Sequence, residues 1–78
     1  MRQSSNHSLN SVIAQKIKHL RKQKNVTLEA FYFDTGIHLA RIEQGKMNIT
    51  VSTLERICSY FDTNLSDFFS DIDKFMPS

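Results

Sequence analysis

The side chains that could do chemistry in this 78-residue chain are few and scattered. His7, His19 and His38 never fall within metal-ligand spacing of one another or of Cys58, so no metal site is expected. The single cysteine cannot close an internal disulfide. Cys58 lies on an apolar helical stripe, which suits a small core residue better than a nucleophile or redox sensor. There is no glycine-rich phosphate loop and no serine-nucleophile motif, and the carboxylates are spread over helix starts and surface. We therefore expect no catalytic residues, no cofactor and no enzyme.

What remains is charge. The net value, +2, decides little, but its distribution is uneven. Residues 1–28 carry Arg2, Lys16, Lys18, Arg21, Lys22 and Lys24, and no acid precedes Glu29. Residues 62–78 carry Lys74 against Asp62, Asp67, Asp71 and Asp73. A basic end suits a polyanion, most commonly nucleic acid, although Lys16 to Lys24 also suit the solvated face of a helix.

The elements that must position these groups are all helical. Residues 1–8 are poor in apolar side chains and are expected to be a disordered arm. Leu9, Val12, Ile13, Ile17 and Leu20 recur at helical spacing, giving a first helix over about 11–24, with Asn25 suited to a left-handed stop. Thr27 caps a short second helix, about 28–33, and Asp34-Thr35-Gly36 breaks it. A third helix follows over 36–44, with Leu39 and Ile42 inward and Gly45 as its stop. Thr50 caps a fourth, with Leu54, Ile57, Cys58 and Phe61 buried. Asn64 caps a fifth, whose apolar positions run on through Ile72, Phe75 and Met76. The fold class is all-α, with one domain over 9–72 and a C-terminal tail over 73–78 that extends the fifth helix.

The second helix, a tight break and the short third helix make a helix-turn-helix. The stretches L-R-K-Q-K-N-V-T at 20–27, R-I-E-Q-G-K at 41–46, N-I-T-V-S-T-L-E-R-I-C at 48–58 and F-D-T-N-L-S-D-F-F at 61–69 go further. From Leu20 onward the chain resembles the Cro/repressor-type (Xre-type) helix-turn-helix DNA-binding domain. The resemblance covers about two thirds of the chain. It implies a five-helix, lambda-repressor-like domain acting as a sequence-specific regulator of transcription. One departure is a second helix and turn about three residues shorter than the common pattern, similar to a short-turn form of Bacteroidetes-like bacteria.

Anchored on I-E-x-G, the resemblance makes Thr35 the cap of the recognition helix, about 36–44, in the major groove. Gly36, Ile37, His38, Ala40 and Arg41 are then the candidates for base contact. Arg41 can donate two bonds to a guanine, or it meets only phosphate or water. Ile37 suits a thymine methyl; Gly36 either admits close approach or merely starts the helix; His38 either reaches the DNA or sits exposed. Thr27, Leu28, Thr35, Gln44, Lys46 and Asn48 are the implied phosphate contacts, Thr27 and Leu28 through N–H groups at a positive helix terminus. Glu43 would repel phosphate, and the resemblance instead pairs it with Arg21 in a structural ion pair.

The expected partner is double-stranded DNA, bound by a homodimer on a palindromic operator, with dimer contacts in the apolar C-terminal region. Phe31, Tyr32 and Phe33 are consecutive and cannot all face inward. Together with the C-terminal apolar surplus they keep a second reading open: a protein-interaction module, such as an antitoxin or a restriction-modification controller acting through a partner. No apolar run approaches the roughly 18 residues of a membrane span. A cytoplasmic bacterial protein is expected.

Overall fold

A computed structural model describes residues 4–45 and 48–76. Five α-helices succeed one another: α1 (Ser4–Gln23), α2 (Leu28–Thr35), α3 (Leu39–Glu43), α4 (Val51–Tyr60) and α5 (Leu65–Ser70). A short 3-10 turn, Ile72–Phe75, follows. Among the described residues there is no strand.

Side-chain caps start three of the helices. Thr27 Oγ1 accepts from Ala30 N at 3.0 Å, Thr50 Oγ1 from Thr53 N at 3.1 Å, and Asn64 Oδ1 from Asp67 N at 2.8 Å. Each satisfies an N–H that the first helical turn leaves unpaired. Asn25 and Asp62 take left-handed backbone, φ 57° and 60°, just past the ends of α1 and α4.

The core is one cluster. Ile17 of α1, Phe31 of α2, Leu39 and Ile42 of α3, Leu54, Ile57 and Cys58 of α4, Phe61 at the C-cap of α4 and Phe68 of α5 are all buried together. Phe31 stacks on Phe61 and meets Tyr60 edge-on, with ring centroids 5.4 and 4.6 Å apart. Every helix contributes, so α2 and α3 are held against a common floor rather than only against each other. Cys58 lies within this cluster, and burial pushes its thiol above its ordinary value.

Four boundaries differ from the sequence expectation. The first helix begins at Ser4, not near residue 11, so residues 4–8 of the expected disordered arm are helical; residues 1–3 lie outside the described residues. No glycine or proline between Ser4 and Ser11 opposes that extension. The second helix runs to Thr35 rather than Phe33, and the third is Leu39–Glu43 rather than 36–44. Thr35 does not cap a new helix. Its hydroxyl donates to Phe31 O at 2.8 Å, which keeps it in the last turn of α2, and Gly36, at φ 76°, is the left-handed C-cap. Finally, the tail does not extend α5: at Asp71 the backbone leaves the helix, φ −122° and ψ 23°, and Ile72–Phe75 turns back toward α1.

The returning tail meets an unexpected partner. Lys16, counted above with the basic end, is 6% exposed. Its ammonium pairs with Asp71 and lies 5.2 Å from the Phe75 ring centroid and 5.9 Å from that of Phe68. Phe75 also meets His19 edge-on at 5.5 Å. Ile72 and Phe75 are thereby half-buried, leaving Phe69 and Met76 as the exposed large apolar side chains of this end.

Candidate nucleic-acid interface

Between α2 and α3 lie three residues, Gly36 to His38. Gly36 N donates to Tyr32 O at 2.7 Å and closes α2. Ile37 N donates to Thr35 Oγ1 at 3.1 Å, so one hydroxyl serves both the end of α2 and the turn. Leu39 and Ile42 then anchor α3 in the core. Anchoring those two positions leaves Ala40, Arg41 and Gln44 on the outer face, and all three are exposed.

Glu43 is not on that face. Arg21 Nε donates to Glu43 Oε2 at 2.7 Å and Arg21 Nη2 to Glu43 Oε1 at 3.1 Å, a two-pronged pair. Arg21 Nη1 also donates to Val26 O at 3.0 Å. One guanidinium thus ties α1, the loop after it and α3 together. Both side chains are largely withdrawn from water, and the hydrogen bond to Glu43 raises the Arg21 pKa above its ordinary value, keeping it charged. The pair also removes a carboxylate from the surface that Arg41 and Gln44 present.

The other expected contact residues distribute as follows. His38 is exposed and is the N-cap residue of α3, without a side-chain capping bond. Gly36 is exposed but lies in the turn. Ile37 is half-buried and packs against the core cluster. Neither is a helical position, which corrects the alignment that placed them in the first turn of the third helix. The physical reason is that Gly36, left-handed at φ 76°, is spent on ending α2, and Ile37 and His38 then span the turn before α3 begins at Leu39. Thr35 is half-buried, and its carbonyl accepts from Arg56 Nη2 of α4 at 3.1 Å.

Thr27 and Leu28 are exposed at the first turn of α2. A shallow concavity there is lined by Arg21, Lys22, Asn25, Val26 and Thr27, so the Lys22 charge lies beside the positive end of a helix. Gln44 and Asn48 are exposed on either side of residues 46–47, and Lys46 lies outside the described residues. Lys18, Lys22, Lys24 and Arg41 are exposed cations, whereas Lys16 and Arg21 are committed to internal pairs.

Several contacts that shape this surface carry no local sequence signal. The Tyr32 and His38 rings stack at 4.3 Å and 26°. Tyr60 OH donates to Asp34 Oδ2 at 2.6 Å, which with the Arg56 bond fastens the end of α2 to α4. Asn10 Nδ2 donates to Asn48 Oδ1 at 3.0 Å, joining α1 to the loop after α3. Each joins residues that the chain brings together only by folding. Among the described residues no group of histidine, cysteine and carboxylate side chains could hold a metal ion, and no helix is long and apolar enough to cross a membrane.

Comparison with known proteins fits this geometry. The family model described as the Cro/C1-type HTH DNA-binding domain matches residues 16–74, a span from the middle of α1 to the 3-10 turn. The chain is also 36% identical over 63 residues to a protein named control protein C.MunI, from Mycoplasma sp, with 76% of this chain and 85% of that protein covered. No solved structure gives a significant match.

Proposed function

The chain belongs to the family of Cro/C1-type helix-turn-helix DNA-binding domains, which bind DNA and are not enzymes, and on that premise we propose that it is a sequence-specific regulator of transcription. In this reading α3 enters the major groove and α2 lies across the phosphate backbone. The observation that carries it is the outer face of α3. Leu39 and Ile42 are buried, Glu43 is paired away, and Ala40, Arg41 and Gln44 are left to meet a partner.

Arg41 is the main reader. Its guanidinium presents two parallel donors to O6 and N7 of a guanine, an arrangement worth about 1–3 kcal/mol of discrimination. His38 and Ala40 complete the base-facing set, with Gly36 admitting close approach of the backbone. Thr27, Leu28, Gln44, Lys46 and Asn48 grip phosphates on either side, and Lys22 adds charge next to Thr27. The protein works in the bacterial cytoplasm as a homodimer on a near-palindromic operator, with Phe69 and Met76 in the dimer contact.

The kinship with a control protein favours one form of this reading, a controller acting on restriction-modification genes. A partner-binding module is the second reading, favoured by Phe33, which is 88% exposed on α2.

Selection of bound duplexes from a randomised DNA pool tests the proposal, with wild type and Arg41→Ala in parallel at two salt concentrations. The expected result is a two-fold-symmetric site, lost discrimination at one base pair per half-site in the variant, and affinity that falls steeply with salt. A pool with no enriched sequence, or binding indifferent to salt, sinks it.

A further inference from the structure

Tyr32 lies outside the motif stretches quoted above for the family resemblance, yet the fold sets it beside a residue read above as a base contact. α3 has five residues, and its N-cap residue, His38, makes no side-chain capping bond. The start of α3 therefore depends on the backbone of the turn and on what the His38 side chain touches. That neighbour is Tyr32, with ring centroids 4.3 Å apart and an interplanar angle of 26°. The carbonyl of Tyr32 also receives the Gly36 N–H at 2.7 Å. One residue thus closes α2 through its backbone and stacks its ring on the N-cap residue of the next element.

Both side chains are on the surface, Tyr32 at 47% exposure. An exposed imidazole left alone moves among its rotamers, and fixing it on contact with a base costs entropy. A stacked imidazole has already lost that freedom, and preorganisation of this kind sharpens recognition.

We propose that Tyr32 is a positioning residue for sequence readout: its ring, stacked on His38, holds the imidazole at the start of α3 so that His38 discriminates at one base position. The inference rests on the reading of this face as the DNA interface. Stacking geometry belongs to the ring, so the hydroxyl is dispensable and Tyr32→Phe keeps the function.

The test is the same duplex selection run with wild type, His38→Ala, Tyr32→Ala, Tyr32→Phe and the double alanine variant, with thermal unfolding of each. His38→Ala is expected to flatten the preference at one position in each half-site. Tyr32→Ala flattens that same position by about two- to tenfold, Tyr32→Phe leaves it intact, and the double variant is no worse than His38→Ala. If Tyr32→Ala does not fold, Tyr32→Leu replaces it, keeping apolar bulk without a ring. An unchanged profile in the variant lacking the ring overturns the role. So does a uniform loss of affinity over all sequences, which a merely structural residue would produce, or a His38→Ala profile identical to wild type. A wild type that enriches no sequence overturns the DNA-interface reading itself, and the role of Tyr32 with it.

Discussion

Replacing Arg21 by alanine should cost this protein much of its stability, for a reason that can be worked from the geometry. The guanidinium makes three hydrogen bonds, two to Glu43 and one to Val26 O. The Glu43 side chain is only 8% exposed, so removing Arg21 leaves a carboxylate withdrawn from water without its countercharge. Breaking a buried pair from one side costs about 3–5 kcal/mol, because the orphaned charge keeps its desolvation penalty. A domain of this length has only about 4–12 kcal/mol to lose. In a chain this small each kcal/mol moves the melting temperature by about 4–8 °C, so a fall of at least about 12 °C is expected. The assay is urea and thermal unfolding of wild type, Arg21→Ala, Glu43→Ala and a doubly apolar Arg21→Met/Glu43→Leu variant. The double variant should regain most of the loss, since neither charge is then stranded. An Arg21→Ala loss below about 1 kcal/mol, the range of exposed ion pairs, would refute the claim that this pair ties α1 to α3. A double variant as weak as the single one would refute the account of the cost.

The two glycines should respond differently to alanine. Both have left-handed backbone, but a Cβ at Gly36 meets nothing within 4 Å, whereas at Gly45 it would lie 3.2 Å from Ser11 Oγ and 3.3 Å from Ser11 Cα. Gly36→Ala should cost about 1–2 kcal/mol from backbone strain alone. Gly45→Ala should cost more in the same denaturation experiment, and equal losses would rule out the close approach of α1. Asp71 should contribute to the acid limb of the stability curve. Its hydrogen bond with Lys16 holds its carboxyl below the ordinary carboxylate range. A depressed folded-state value means that the contribution is complete above about pH 4 and is lost as pH falls through the lowered value. Denaturation across pH 2–6 checks this, with Asp71→Asn expected to flatten that part of the curve. Cys58 should resist a thiol-alkylating reagent in the native state, because it is fully buried and its thiol pKa is raised. Mass spectrometry should find modification only at the rate of unfolding, and rapid labelling of the folded protein would contradict that burial.

The caps and stripes of the helices were legible along the chain because their causes are local. Thr27, Thr50 and Asn64 bond to an N–H three residues on, and Leu54, Ile57, Cys58 and Phe61 share one face by helical periodicity alone. The existence of a short α3 with an open outer face follows from the spacing of Leu39 and Ile42. The path between α2 and α3 was not legible. Thr35 and Gly36 each have two uses, as the end of one helix or the start of the next, and local propensity does not choose between them. Packing of Phe31 and Leu39 on a common core, with Arg56 and Tyr60 of α4 fastening the end of α2, is the tertiary setting in which the first use prevails.

The same limit governs charge. Lys16 and Lys22 look alike in a basic stretch, six residues apart on one helix. Only the return of the chain at Asp71 buries the first, while the second stays exposed beside Thr27. Residue types and their spacing determined the helical class, the starts of three helices and the kind of partner. Which cations remain available to that partner, where α3 begins and which ring stacks on His38 were decided by tertiary structure. Each depends on contacts between residues that no local rule of the chain brings together.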